Sequence, residues 1–183
     1  REYVTFLNNN PEEAKLLAKE VLIGVTSFFR DPEYFDVLKE TCIRQLVKDV
    51  PKDRQIRVWV AGCSTGEEAY SIAILFSEVM EELNIRRNVK IFATDLDADS
   101  ISTAVRGVYG DNIIEDVSVA RLSRFFSRKG NKYVIHHDIR KMIIFAQHNV
   151  FQDPPFGKLD LICCRNVLIY FQSVLQRNLF TIF

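Results

Sequence analysis

The sequence has no excess of charge of either sign. Its 183 residues include 24 Lys and Arg and 24 Asp and Glu, so the formal net charge is zero. Such a balance provides no electrostatic footprint for nucleic acid or for a polyanionic surface. The sequence also lacks a signal peptide and an apolar run of membrane-spanning length. We therefore expect neither nucleic-acid binding nor direct insertion into a membrane.

Metal-binding patterns are missing as well. No zinc or calcium pattern occurs, and the four cysteines show no CxxC spacing: Cys42, Cys63, Cys163 and Cys164. We expect these cysteines to be buried, reduced thiols of a cytoplasmic protein. We expect no metal site.

The most informative stretch is residues 58–71, VWVAGCSTGEEAYS. An apolar strand leads into a turn of small residues, and Glu67 and Glu68 then open a helix. A strand, a glycine turn and a helix N-terminus together offer backbone N–H groups to the phosphate or carboxylate of a nucleotide-like ligand. Taken alone, the segment also fits an ordinary strand-to-helix connection, and Glu67 fits a simple complement to the helix dipole.

Four apolar segments, at about 57–61, 89–94, 142–146 and 159–164, predict buried strands that alternate with helices. This alternation predicts an α/β fold with a parallel, doubly wound sheet. Helices predicted over 12–23 and from Pro32 form an N-terminal helical region at 1–52, followed by the α/β domain at 53–183. Residues 107–141 interrupt the alternation and predict an inserted subdomain, with a helix over 117–126 and a strand over 132–136.

An acidic residue, Asp95, ends the second predicted strand. There it could accept hydrogen bonds from both hydroxyls of a ribose, or serve only as a helix N-cap. A glycine turn after the first strand and an acid after the second fit two ligands, a nicotinamide cofactor and S-adenosylmethionine. The third glycine of the dinucleotide pattern G-x-G-x-x-G is absent, which argues against the nicotinamide cofactor.

Five ordered motifs carry a resemblance: VTSFFRD (25–31), AGCSTGEEAYS (61–71), ATDLD (93–97), HNVF (148–151) and CRNVLIYF (164–171). Together they resemble the chemotaxis receptor protein-glutamate methyltransferase (CheR) family, from about Gly24 to the end. The resemblance implies a Rossmann-like methyltransferase sheet, which in relatives is completed by a further helix and an antiparallel strand pair. It implies S-adenosylmethionine as the cofactor and S-adenosylhomocysteine as its product.

The resemblance also implies roles for particular residues. Arg30 and Tyr170 would face the methyl-transfer site as the catalytic pair. The residues expected to bind the cofactor are Thr26, Arg30, Gly62, Glu68, Asp95, Asn149, Val150, Cys164 and Arg165. Gly24 stands where relatives usually carry Asn, which removes one expected hydrogen bond to the ligand.

The implied reaction transfers the cofactor's methyl group to glutamate carboxylates of a methyl-accepting chemoreceptor. A glutamate carboxylate is ionised at neutral pH and needs no general base. The alternative is a non-catalytic methyltransferase-like binding module fused to other domains of a larger signalling protein. Arg121, Arg124 and Arg128, at i, i+3 and i+7, could form one basic helical face for a glutamate-rich receptor helix, or an ordinary solvated face.

Overall fold

The computed structural model describes residues 2–13, 17, 24 and 26–183. Most of the helix predicted over 12–23 lies outside these residues. The helices are α1 (Glu2–Asn9), α2 (Pro32–Val37, continued by a π-helical stretch over Leu38–Ile43 and an α-helical stretch over Arg44–Asp49), α3 (Glu67–Glu82), α4 (Ala98–Arg106), α5 (Val119–Phe125), α6 (His137–Arg140) and α7 (Ser173–Ile182). None of the helices in the described part of the chain is long and apolar enough to cross a membrane.

In the described part of the chain, seven strands form two sheets. The strands are β1 (Ile56–Ala61), β2 (Val89–Asp95), β3 (Val108–Gly110), β4 (Phe126–Lys129), β5 (Lys132–Ile135), β6 (Ile143–Gln147) and β7 (Leu161–Cys163). The larger sheet has the order β6-β2-β1-β7, and all of its neighbouring strands are parallel. The predicted parallel α/β fold is thereby confirmed, with strand ends within about two residues of their predicted places.

The order of the strands creates a switch point in the larger sheet. The chain adds β2 and then β6 on one side of β1, and it returns to add β7 on the other side. Connections on either side of such a point diverge and leave a crevice at the carboxyl ends of the strands. The loops after β1, β2, β6 and β7 all open at this edge, where the predicted site residues lie.

Helix α3 covers one face of the larger sheet, and its middle part, residues 69–76, is buried on every side and apolar apart from Ser71. Its buried residues include Tyr70, Ile72 and Phe76, all fully inaccessible to solvent. A helix that is apolar on every side is stable only when it is enclosed. Tyr70 satisfies its hydroxyl inside the core by donating to the Ala104 carbonyl oxygen at 2.7 Å.

The smaller sheet is the antiparallel set β3-β5-β4, built from the inserted segment. The two-residue loop Gly130–Asn131 joins β4 to β5, and Gly130 has a φ of 62°, as tight hairpin turns favour. The strand predicted over 132–136 is present. The helix predicted over 117–126 is shorter, because the chain becomes extended at Phe126 and enters β4. The division of the chain at residue 52 stays a prediction.

Candidate cofactor cleft

The turn after β1 depends on two glycines with left-handed backbone. Gly62 has a φ of 73° and Gly66 a φ of 96°. A Cβ atom on Gly62 would lie 2.2 Å from Cγ2 of Val167, so the loop after β7 packs directly on this backbone. The N–H groups of Gly62 and Cys63 both donate to the Thr94 carbonyl oxygen, at 2.8 and 2.9 Å, which fixes the turn to the end of β2.

Asp95 stands where β2 ends and touches the same turn. Its Oδ2 accepts from the Ser64 N–H at 2.7 Å, and its Oδ1 accepts from the Asp97 N–H at 3.0 Å. The N-cap of α4 is Asp97, whose carboxylate accepts from two N–H groups of the first turn. The interpretation of Asp95 as a helix cap is therefore wrong. A carboxylate has about four acceptor positions, so both oxygens keep capacity for ribose hydroxyls.

The loop after β6 lies beside Asp95. The His148 N–H donates to the Asp95 carbonyl oxygen at 2.9 Å, because Asp95 and Gln147 are register partners at the strand ends. Asn149 then closes a turn, its Oδ1 accepting from the Phe151 N–H at 3.0 Å. Asn149 and Val150 are half-buried at this edge, as a pair of residues flanking a ligand would be.

Arg165, just after β7, ties the loop to the segment before α2. Its Nη2 donates to the Arg30 carbonyl oxygen at 3.0 Å and to Asp31 Oδ2 at 2.6 Å. The guanidinium lies 4.0 Å from the centre of the Tyr34 ring, a cation–π contact. Residues more than 130 positions apart in the sequence therefore meet here. The guanidinium of Arg165 is engaged by protein groups on several sides.

Glu68, in the first turn of α3, faces this cluster. Its carboxylate lies 3.4 Å from Arg165 Nη1, and its side chain is 16% exposed. Burial raises the pKa of Glu68 to about 7, although Arg165 and Arg30 both act to lower it. Desolvation exceeds the attraction of the two cations, so this carboxyl group is close to half-ionised at neutral pH.

The thiol of Cys164 is half-buried in the same region. Burial and the neighbouring Glu68 raise the pKa of Cys164 to about 11. Cys163, one residue earlier, is buried and hydrogen-bonded to the Tyr34 phenol. Of the four thiols, Cys63 and Cys163 are buried as expected, whereas Cys42 and Cys164 are only half-buried. Tyr170 ends a 3-10 turn over Leu168–Tyr170, and its side chain lies outside the described part.

Thr26 faces Glu67 instead of Glu68. Its hydroxyl is hydrogen-bonded to the Glu67 carboxylate, which also accepts from Thr65 Oγ1 at 2.7 Å. Burial raises the pKa of Glu67, which is 9% exposed. These residues line a cavity of about 210 Å³ together with Tyr109 and Asp116 of the inserted segment. From the sequence, Glu67 was expected only to complement the helix dipole. The residues around Glu67 give no sign of the cavity, because the inserted segment that helps to line it is distant in the sequence.

The proposed basic helical face is not formed as predicted. Arg128 lies on β4 and not on a helix, because α5 ends at Phe125. Arg121 donates from Nε and Nη2 to Glu78, at 2.7 and 3.0 Å, and Arg124 pairs with Glu81. Two of the three guanidinium groups thus bind helix α3 of the same molecule. Arg128 instead donates to the Gly130 carbonyl oxygen at 3.2 Å and lies 5.9 Å from the centre of the Tyr133 ring.

Sequence reasoning also missed Tyr34 and Asp31. Both hold Arg165, and both lie in or next to the first turn of α2, where the pattern indicated only an amphipathic helix. Asp31 has a φ of 60°, an uncommon backbone for a residue other than glycine. The Asp31–Pro32 pair was visible as a helix start, yet the sequence contains no signal for its distant partner.

The fold and the cleft define a doubly wound α/β domain of the kind that holds nucleoside ligands at its strand ends. A family model described as "CheR methyltransferase, SAM binding domain" matches residues 24–183. The chain belongs to this CheR family, and S-adenosylmethionine is the cofactor of its domain.

Three relatives illustrate the match. The chain is 44% identical to an uncharacterized 104.1 kDa protein of Rhodobacter capsulatus, over 96% of this chain and 18% of that protein. It is 37% identical to a chemotaxis protein methyltransferase of Listeria innocua, over 94% of this chain and 66% of the relative. A chemotaxis protein methyltransferase of Borreliella burgdorferi is 34% identical, over 97% and 65%. The chain thus spans about two thirds of the two methyltransferases.

The residues of the cleft fit the cofactor chemically. Asp95 has acceptor capacity for hydroxyl groups, and Glu68 supplies negative charge beside Arg30, which offers a planar donor fork. Ser64 Oγ, on the glycine turn, is buried and has no hydrogen-bond partner among the described residues. A buried hydroxyl without a partner is costly unless a ligand or water satisfies it. These acceptors and donors match a ligand with a ribose and an amino-acid end.

Proposed function

We propose that this protein transfers a methyl group from S-adenosylmethionine to glutamate side-chain carboxylates of a chemoreceptor-type signalling protein. The products are glutamate methyl esters and S-adenosylhomocysteine. The observation that carries the proposal is the meeting of Gly62, Glu68, Asp95 and Arg165 at one edge of the sheet in a member of the CheR family. The names of the chemotaxis relatives support the choice of acceptor.

Each residue has a proposed task. Asp95 holds the ribose, and Asn149 and Val150 flank the adenine beside it. Glu68 and Arg30 serve the amino-acid end of the cofactor, with the backbone of Gly62 close by. Thr26 precedes Arg30 on the same segment and contributes beside Glu67, to which it is hydrogen-bonded. Cys164 and Arg165 form the floor, and Arg165 also fixes Arg30 through its carbonyl oxygen.

The methyl-transfer chemistry asks little of the protein beyond alignment. When bound, S-adenosylmethionine supplies an electrophilic methyl group on its sulfonium sulfur. The acceptor glutamate has an ordinary pKa near 4.3, so it is already a nucleophilic carboxylate at neutral pH. Arg30 and Tyr170 are proposed to hold this carboxylate in line, and orientation of this kind provides much of the rate acceleration in such reactions. The influence of Arg30 on the ionisation of Glu68 supports a position for Arg30 beside the cofactor.

A methyl-transfer assay tests this proposal directly. The protein is incubated with methyl-labelled S-adenosylmethionine and the cytoplasmic portion of a chemoreceptor. We expect label in the receptor that mild base releases as methanol, since an ester is base-labile. Arg30→Ala should abolish incorporation, whereas Arg86→Ala, at an exposed position outside the cleft, should leave it unchanged. Label that resists base would contradict the glutamate ester.

A second candidate is a binding module within a larger signalling protein, one that senses the cofactor without turnover. It is supported by the 104.1 kDa relative, of which the chain spans only 18%, and by Gly24 in place of the expected Asn. The same assay separates the candidates, because a module binds S-adenosylhomocysteine in calorimetry without incorporating label. We propose a cytoplasmic location for either form, in keeping with half-buried and buried free thiols.

A further inference from the structure

Phe28 packs the segment that carries Thr26 and Arg30 against two aromatic side chains of the insertion. Phe28 makes edge-to-face contacts with Tyr109 of β3 and Phe126 of β4, with ring centroids 4.8 and 5.5 Å apart. Phe28 and Phe29 are almost completely buried. The segment therefore lies between the inserted sheet and the α/β core.

Phe29 holds an unusual backbone conformation. Its φ is 49°, a left-handed value that costs energy for a bulky residue. Two contacts oppose that cost: the Phe29 N–H donates to Ser71 Oγ at 3.0 Å, and its ring packs edge-on to Phe35. Because Arg30 follows directly, the direction in which Arg30 leaves the segment depends on how Phe29 is held.

Arg121 of α5 packs on the ring of Phe29. Its guanidinium lies 4.0 Å from the centre of the Phe29 ring. The same guanidinium donates twice to Glu78 of α3, which Lys39 of α2 also contacts at 3.1 Å. A planar guanidinium held by two parallel hydrogen bonds presents a fixed flat face to the ring, which an ammonium group cannot do.

We infer that Arg121, supplied by the insertion, is a positioning residue for the cofactor cleft: held by Glu78, it fixes Phe29 and thereby sets Arg30. The inference rests on the proposed role of Arg30 at the cleft. The insertion would then contribute to cofactor binding, because a substitution on α5 would alter the position of Arg30 through the ring of Phe29. Binding free energies are reciprocal, so cofactor binding would also stabilise the position of α5.

The test compares two arginines of one helix. Arg124 lies on α5 as well and pairs with Glu81 of α3, but its guanidinium lies over Phe125 and not over Phe29. Affinity for S-adenosylhomocysteine is measured by calorimetry for the wild type, Arg121→Ala, Arg121→Lys and Arg124→Ala. We expect about tenfold weaker binding for Arg121→Ala, which corresponds to about 1.4 kcal/mol. Arg124→Ala should bind as the wild type does.

Arg121→Lys keeps the charge beside Glu78 but loses the flat face, and it remains informative if Arg121→Ala does not fold. We expect it to bind several-fold more weakly than the wild type.

A double-mutant cycle with Arg30→Ala separates positioning from general destabilisation. If Arg121 acts through Arg30, adding Arg121→Ala to Arg30→Ala should cause no further loss of affinity. Additive losses, or equal affinities for Arg121→Ala and Arg124→Ala, would overturn the inference while leaving the proposed function intact. Failure of the wild type to bind S-adenosylhomocysteine would instead overturn the cleft assignment and the inference together.

Discussion

Glu68 should make cofactor binding depend on pH near neutrality. Burial raises its pKa to about 7, while the nearby Arg165 and Arg30 favour its ionised form. The ammonium group at the amino-acid end of the ligand binds best when the Glu68 carboxylate is ionised. With a pKa near 7, the ionised fraction is about 0.1 at pH 6 and about 0.9 at pH 8. Because apparent affinity scales with the binding-competent fraction, the affinity for S-adenosylhomocysteine should rise about tenfold between these values.

The thiols and the phenol around Glu68 keep their protons in this range. The pKa of Cys164 is raised to about 11 and that of Cys163 to about 12, and the pKa values of Cys63 and the Tyr34 phenol are raised as well, in each case chiefly by burial. A change between pH 6 and 8 that is present in the wild type and absent from Glu68→Gln therefore reports on Glu68.

Calorimetry at pH 6, 7 and 8 measures the effect. The matched control is Glu68→Gln, which keeps the size of the side chain and removes its titration. The control should lose most of the pH dependence, and any remainder belongs to the ligand or to other groups of the protein. A flat profile in the wild type, or an equally steep profile in Glu68→Gln, would refute the assignment.

The same pKa predicts how stability responds to pH. A carboxyl group whose pKa is raised by folding binds more protons in the native state, so it lowers stability as the pH rises from about 4.5 to about 7. Relative to the wild type, Glu68→Gln should therefore gain stability between pH 5 and pH 8 in urea unfolding without ligand. An opposite trend would mean that the ion pair with Arg165 outweighs the cost of burial.

Three further predictions concern the frame of the cleft. Gly62→Ala should lower the free energy of unfolding by about 3 kcal/mol or more, since its Cβ would clash with Val167 on a left-handed backbone. Gly130→Ala is the control: its φ is similar but its Cβ would meet no atom, so it should lower the free energy of unfolding by only about 1 kcal/mol. Asp95→Ala should weaken S-adenosylhomocysteine binding about tenfold to a hundredfold, whereas Asp97→Ala should cost about 1 kcal/mol of stability as a lost N-cap and leave the affinity unchanged. Trp59→Phe removes a buried indole hydrogen bond of 2.9 Å and should cost about 2 kcal/mol in urea unfolding, and a cost below about 0.5 kcal/mol would contradict its role in the core.

The sequence alone determined most of the parallel sheet and the place of the cleft. Strand positions follow from short apolar runs, which any buried parallel strand requires. Parallel strands end at one edge, so Asp95, Asn149 and Arg165 had to come near the glycine turn once their strands were recognised. Helix α4, from Ala98 to Arg106, follows β2 as the alternation of strands and helices requires.

Where neighbouring residues compete for the same local role, the outcome was harder to predict. Either Asp95 or Asp97 could cap α4, and only the backbone geometry decides between two carboxylates that are two residues apart. The end of α5 depended likewise on the pairing of Phe126 with Ile135, a partner that helical periodicity cannot reveal.

Only the tertiary structure decided which charges meet. Arg165 binds Asp31 across 134 positions, and Arg121 packs on Phe29 instead of joining the predicted basic helical face. The burial that raises the pKa of Glu68 likewise comes from segments remote in the sequence. Composition and periodicity indicate which face of a segment is buried, but not which residues it is buried against. The partner of a long charged side chain depends on the relative placement of whole elements, and no local pattern encodes that placement.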